Sequence, residues 1–297
     1  MLLTIFPAAG EETSLKEGTA APQSTESAPE FADFSARFPE HFNTESAKPL
    51  ITETSYQSAD ISIEISVSRV DKTDVYVADI YVRTVKNFMR AFGGNKWHSK
   101  MEKVKTIAEN SGALLALTGD NGHNFSSGWV FGNGVLLRKT SNKTRDLCIL
   151  YKNGEMVTIK GSKIDNNQIA ADKDLIWQSF LFGPALLDEN GGAVTSFTSS
   201  LKVANPRAAI GYYEPGHYCL VQVDGRGTKS AVQSGGKNSG MTFSQLSAFM
   251  ASLGCKAAYN LDGGQSALMW FNGSVISTPY KGGRNIGDIV IIKESEE

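Results

Sequence analysis

Apolar and polar residues alternate strictly at Ile61, Ile63, Ile65 and Val67, with Ser62, Glu64, Ser66 and Ser68 between them. A period of two puts one set on a buried sheet face and the other in water, which predicts a strand. A second strand is predicted over 75–82, after a turn at Asp71–Asp74. Asn-Gly pairs then recur at Asn133-Gly134, Asn153-Gly154, Asn190-Gly191 and Asn272-Gly273. Both residues tolerate positive φ, so the pair between two apolar runs predicts a hairpin. Three of the four have such flanks: 129–131 with 135–137, 147–151 with 156–159, and 268–271 with 275–276.

Two segments follow the helical period instead. Ser99 with Glu102, and Thr242 with Gln245, have capping-box spacing, in which side chains satisfy first-turn N–H groups. The first pattern continues through Met101, Val104, Ile107 and Ala108 to Gly112, the second through Phe243, Leu246, Phe249, Met250 and Leu253 to Gly254. A glycine just past the last apolar position is a helix stop. Hairpins outnumber helices, so the expected fold class is α+β, a single domain of mainly antiparallel or mixed sheet with a few flanking helices.

Composition changes the picture at the N-terminus. Residues 11–57 are rich in Ser, Thr, Ala, Pro and Glu and show little periodicity, so they offset little of their ordering entropy by burial. Residues 1–57 are therefore expected to be a flexible linker or leader, tethering a domain at 58–297. Phe31, Phe34, Phe38 and Phe42 are the exception: their spacing shares one helical face, and Pro39 limits it to a short helix docked on the domain. Residues 1–60 carry three Lys/Arg against ten Asp/Glu, so the remainder carries a mild positive excess that suits an anionic substrate. The total net charge of −2 gives no field for nucleic acid. No apolar run approaches the ~20 residues that span a bilayer, so the domain itself is not expected to insert in a membrane. The start, Met1 to Gly10, reads equally as a remnant of an export signal or as nothing. Cys148, Cys219 and Cys255 lie in apolar contexts with no CxxC spacing, and the four histidines form no metal-ligand pattern. Buried free thiols are expected, with one disulfide and a spare thiol as the alternative.

Several polar groups end apolar runs, where a rigid scaffold presents functional groups. In Asn260-Leu261-Asp262-Gly263-Gly264-Gln265-Ser266 a strand ends in a carboxylate and a double glycine, whose exposed N–H groups suit an anion. The alternative is a hairpin in which Asp262 bonds its own turn backbone. In Val223-Asp224-Gly225-Arg226 a carboxylate and a guanidinium follow a strand; the fork of arginine matches phosphate, and the alternative is a local Asp–Arg ion pair. Arg207 opens a run free of charge, with a solvated edge arginine as its alternative. Thr118-Gly119-Asp120-Asn121-Gly122-His123 supplies a carboxylate after a buried run, or a plain turn. Arg284 sits in a glycine loop, and Ser239 leads into the second helix, whose N–H groups would face an anion.

In chain order, Pro206-Arg207-Ala208-Ala209-Ile210-Gly211, Val223-Asp224-Gly225-Arg226, Ser239-Gly240-Met241-Thr242, Asn260 to Ser266 and Arg284 resemble the phosphodiester glycosidase family, bacterial type. Weaker resemblance extends it to roughly 75–292. This chain departs at Gln265, where the family often has a third glycine, and at Asn121-Gly122-His123, where it often has an aromatic pair. The resemblance implies hydrolysis of the bond between an anomeric carbon and a phosphodiester oxygen, on an exopolysaccharide, teichoic acid or other envelope glycan, outside the cytoplasm. It implies Asp262 and Asp224, with Asp120 in reserve, as nucleophile or base and acid. Arg207, Arg226 and Arg284 would bind the phosphodiester with the N–H groups of Gly263 and Gly264, and Asn260 and Ser266 would bond sugar hydroxyls or orient carboxylates. No cofactor is called for. One rival reading is a divalent-cation phosphodiesterase using Asp120, Asp224 and Asp262 as oxygen ligands. The other is a non-catalytic glycan-binding module stacking sugars on Trp97, Trp129, Trp177 and Trp270, residues for which core packing is the ordinary role.

Overall fold

The computed structural model describes residues 31–295. Its largest sheet has seven strands in the order Leu50–Ile51, Ser55–Gln57, Ile61–Val70, Thr73–Val82, His217–Val223, Arg207–Glu214 and Ala257–Asn260. A five-stranded sheet runs Ser274–Val275, Met269–Phe271, Leu115–Thr118, Asp288–Ile292, Phe88–Phe92. A three-stranded sheet and the hairpin 130–138 complete the layers, and every pairing is antiparallel.

Alternation along these strands builds the core. Ile61, Ile63 and Ile65, with Ile80, Ala208 and Leu220, bury between the large sheet and the other sheets. The opposite face, Val75, Ala209, Val221 and Val223, packs on Met241, Leu246 and Met250 of the Phe243–Ser252 helix and its lead-in. The helix Val104–Ser111 covers the five-stranded sheet through Val104, Ile107 and Ala108. Trp129, Trp177 and Trp270 are core residues.

The hairpins form at Asn133-Gly134, Asn153-Gly154 and Asn272-Gly273; Asn190-Gly191 makes only a small turn closed by a bridge between Leu187 and Ala193. The Thr242 capping box forms on both sides, while the Ser99–Glu102 box does not. Glu102 instead accepts the Gly94 N–H at 2.6 Å and pairs Lys100, so the helix starts later, at Val104. Of the tract read from composition as linker, 31–57 joins the body. Phe34, Phe38 and Phe42 bury in the main core around a 3-10 turn at Pro39–His41, and Ser55–Gln57 pairs with Ile61–Val70. Residues 1–30 lie outside the described part. All three cysteines are buried and unpaired, with Cys219 and Cys255 Sγ 3.8 Å apart. No helix among the described residues is long and apolar enough to cross a membrane.

Candidate active site

The two large sheets meet at one end, where the Asp262 N–H donates to the Gly119 carbonyl at 3.1 Å. Antiparallel pairing explains the gathering. Arg207 begins one strand opposite Val223, which ends its neighbour, and on the other side Ala209 faces Asn260. Residues 207, 224 and 260–262 are thus brought to one edge, although spread over more than fifty positions. Thr118 fastens the sheets together by donating its hydroxyl to the Ser266 carbonyl.

A pocket of about 100 Å³ opens at this edge, lined by Phe182, Asn205, Arg207, Arg226, Asp262 and the Gly263-Gly264 turn, among others. Asp262 is almost fully buried. Its Oδ2 accepts from the Ser266 hydroxyl at 2.6 Å and from Arg284 Nη2 at 2.7 Å, while Oδ1 accepts from none of the described residues. The carboxylate is held by a distant arginine and by the Ser266 side chain, not by the backbone of its own turn. Burial raises its pKa; the Ser266 hydroxyl and the Arg284 charge pull the other way.

Arg207 is 3% exposed, not a solvated edge residue. Its Nε donates to the Met241 carbonyl at 2.9 Å, its Nη2 to the Leu201 and Val203 carbonyls, and its guanidinium lies 4.1 Å above the Phe243 ring. Burial and the nearby charge of Arg226 lower its pKa to about 10. Arg226 adopts φ 55°, donates to Asn205 Oδ1 at 3.0 Å and faces the Tyr280 ring at 5.2 Å. Neither arginine pairs with a carboxylate among the described residues, so the expected alternative of an Asp224–Arg226 pair does not form. Two guanidinium groups that repel each other, both without a counter-ion, make a receptor for an anion.

The remaining expected residues divide. Arg284 is committed to Asp262 and to the Ser266 hydroxyl, so it clamps the carboxylate instead of joining the anion pocket. Ser266 likewise orients Asp262. The Gly264 N–H is taken by the Pro206 carbonyl at 2.9 Å, which leaves Gly263 as the free amide of that turn. A Cβ on Gly264 would lie 3.0 Å from Arg226 Nη2, and its φ of 64° suits glycine. Asn260 donates to the Gly183 carbonyl at 2.8 Å, and its buried Oδ1 has no partner. Ser239 is exposed and lies outside the pocket; its N–H donates to the Lys72 carbonyl. The segment before the second helix therefore serves Arg207, through Met241 and Phe243, rather than meeting an anion itself.

Asp224 sits on the other face of the sheet from Arg207. It follows Gln222, which is opposite Ala208 and Tyr76, whereas Arg207 shares its row with Val223 and Val75. Its Oδ2 accepts the Thr278 N–H at 2.9 Å, and burial raises its pKa to about 6. Tyr76 Oη and Gln222 Oε1 close by are buried without partners. Asp120 is fully buried, its Oδ1 accepting the Leu181 and Phe182 N–H groups at 2.6 and 2.7 Å. It is neither a plain turn residue nor a pocket residue; burial, with repulsion from Asp288, raises its pKa to about 7 against the pull of Arg90.

Two residues of this centre, Arg90 and Asp288, had no signal in the sequence. Arg90 is fully buried and pairs Asp288 at 2.6 Å, and Asp288 in turn accepts the N–H groups of Asp120 and Asn121. Asn238, at the head of the run into the Phe243–Ser252 helix, is a further organiser. It bonds Arg69, the Asp74 N–H and the Lys229 carbonyl, fixing the loop that carries Arg226. Among the described residues no three His, Cys, Asp or Glu side chains group as ion ligands, so Asp120, Asp224 and Asp262 do not form the donor set that the cation-dependent reading requires. The side chain of His123 lies outside the described part.

The family model for phosphodiester glycosidase matches residues 105–293. The chain belongs to the phosphodiester glycosidase family. Its fold is similar to the catalytic domain of zebrafish N-acetylglucosamine-1-phosphodiester alpha-N-acetylglucosaminidase auto-inhibited by its pro-peptide, at 21% identity and a TM-score of 0.61 over 80% of this chain and 83% of that one. A hypothetical protein from Synechocystis has a TM-score of 0.57 at 12% identity, covering 84% of this chain and 64% of that one. In sequence, the phosphodiester glycosidase chain is 24% identical to the SPbeta prophage-derived uncharacterized protein YomE of Bacillus subtilis over 241 residues. That match covers 76% of this chain but only 36% of the length of YomE.

Proposed function

We propose that this phosphodiester glycosidase hydrolyses a sugar-1-phosphodiester by cleaving the bond between the anomeric carbon and the phosphate oxygen. The observation that carries the reading is the pocket itself: Arg207 and Arg226, without carboxylate partners, beside an Asp262 whose Oδ1 is uncommitted. The guanidinium groups hold the phosphodiester and stabilise the charge that appears as the phosphate departs. A phosphodiester leaves readily, so strong acid assistance is unnecessary. Asp262 faces the oxocarbenium-like carbon, either attacking it directly or taking a proton from the attacking water. Ser266 and Arg284 favour its ionised form against the cost of burial, which raises its pKa. Asp224, with a pKa of about 6, lies on the far face of the strand end and outside the pocket lining, so in this reading it braces the edge through Thr278 rather than transferring a proton to the substrate. Asp120 acts at a distance, by fixing Leu181 and Phe182.

The proposal includes an extracytoplasmic setting and a glycan of the cell envelope, supported by the acidic Ser/Thr/Pro-rich composition of 11–30. Hydrolysis in ¹⁸O water tests the reaction. Label in the sugar means glycosyl cleavage, and label in the phosphate would reassign the protein as a phosphodiesterase. The anomer of the first-formed sugar separates direct attack from water activation. Asp262→Asn, folded, should lose nearly all turnover; an undiminished rate removes Asp262 from the mechanism.

A further inference from the structure

Phe182 and Leu201 line two spaces at once. They border the pocket of about 100 Å³ and also a larger cleft of about 500 Å³ that extends along residues 144–146, Lys160 and the loop 196–201. The small space is below the ~300–1,000 Å³ of ordinary ligand sites and the large one is within it. The two spaces therefore adjoin at Phe182 and Leu201, and together they have room for more than a phosphodiester group.

The chemistry of the second space is specific. Arg145 stacks on Phe125, 4.0 Å from the ring centroid, and its nearest acceptor is the Phe182 carbonyl at 3.4 Å. It has no carboxylate partner among the described residues. Lys160 is paired with Asp146 at 3.1 Å, and Asp146 also accepts the Gly161 and Ala185 N–H groups, so its charge is largely answered. The walls add the hydroxyls of Thr144, Ser196, Thr198 and Ser199 and the Phe182 ring. A neutral sugar needs such hydroxyls and an aromatic face. A guanidinium stacked in place and left without a carboxylate partner adds a planar fork that fits phosphate. The two spaces are also mechanically joined. Arg207 holds the Leu201 and Val203 carbonyls of the cleft's roof, and Phe182 gives its N–H to Asp120 and its carbonyl to Arg145.

We infer that the large cleft binds the alcohol portion that remains esterified to the departing phosphate and that this portion itself carries a second phosphate, which Arg145 receives: the preferred substrate is an oligomeric sugar phosphate rather than a single sugar-1-phosphodiester. The inference rests on the proposed reaction for its orientation but not for the anion site.

The test compares two synthetic probes, a sugar-1-(methyl phosphate) and a trimer of the same sugar joined through phosphodiesters. Turnover is followed by released reducing sugar, and binding by calorimetry. Wild type should show at least ~10-fold higher kcat/KM on the trimer, the scale of one charge-assisted hydrogen bond. Arg145→Ala should abolish that advantage while leaving the monomer's kcat/KM within about two-fold and the melting temperature unchanged; Arg145→Lys should restore part of it. Equal rates on both probes, or an Arg145→Ala loss that is the same on both, overturn the inference while leaving the hydrolase reading intact. Tight, Arg145-dependent binding of the trimer without turnover of either probe upholds the cleft and refutes the hydrolase reading instead.

Discussion

Replacing Ser266 with alanine isolates the ionisation of Asp262 from everything else in the pocket. The hydroxyl is fully buried and donates to Asp262 Oδ2 at 2.6 Å, the strongest single influence opposing the desolvation of that carboxylate. Alanine keeps nearly the same volume, so no cavity confuses the result. A hydrogen bond to a charged group is worth about 1.5–3 kcal/mol, and one pKa unit is about 1.36 kcal/mol, so the variant's Asp262 should titrate roughly 1–2 units higher. Arg284 loses an acceptor for Nε but is half exposed, and water can take its place. The acidic limb of kcat/KM against pH should therefore move up by roughly 1–2 units, with the rate above the limb recovering to within a few-fold. Stability should respond with the same sign. A carboxyl whose folded pKa is raised stabilises the fold below its unfolded pKa and loses that contribution as pH rises through the folded value. Ser266→Ala should thus be more destabilising in denaturant titrations at pH 8 than at pH 4. A limb that stays put while the plateau falls would refute the argument, because Ser266 would then act on something other than the charge of Asp262.

Three further outcomes follow from other contacts. Arg226 is exposed and makes one side-chain bond, so Arg226→Ala should leave the melting temperature unchanged and cost about 1.5–3 kcal/mol of phosphate binding, roughly 10- to 100-fold in kcat/KM. Asp120 has a folded pKa of about 7, well above its unfolded value near 4, so wild-type stability should decline between those pH values. Asp120→Asn retains an acceptor for Leu181 and Phe182 and should flatten that decline; an unchanged slope across unfolding titrations would place the charge elsewhere. At Gly211 a Cβ would stand 2.5 Å from Cys219 Sγ and 2.7 Å from Cys255 Sγ, so Gly211→Ala should cost about 1–3 kcal/mol, and adding Cys219→Ala should recover part of it, as read from urea midpoints.

What the sequence revealed, and what it hid, divides by range. Asn133-Gly134, Asn153-Gly154 and Asn272-Gly273 encode their hairpins locally, and Thr242 with Gln245 needs only one helical turn. The same logic failed at Ser99–Glu102 because a competing backbone donor, Gly94, folds back onto Glu102 from outside the box. Arg207, Arg226 and Asp262 were legible because Arg207 opens an apolar run and the other two follow one, all at one sheet edge. Of their partners, Ser266 was expected by resemblance to orient a carboxylate and does so, whereas Arg284 was expected on the phosphate and its grip on Asp262 shows only when its loop closes. Arg90 gave no signal, since it pairs with Asp288 across 198 positions because their strands are neighbours in the sheet. The aromatic spacing at Phe31–Phe42 showed a docked face, while the surrounding composition disguised how much of 31–57 adds to the core.

That docking has a practical geometry. Phe34 nests against Gly216 and Gly154, at the hairpin where the strands Arg207–Glu214 and His217–Val223 turn. The pocket lies at the other ends of those strands, beside Arg207 and past Val223. Phe31, the first described residue, therefore lies at the pole remote from the pocket. A surface, a bead or a fusion partner gripping that pole would leave the mouth facing outward, open to a polymer arriving from solution.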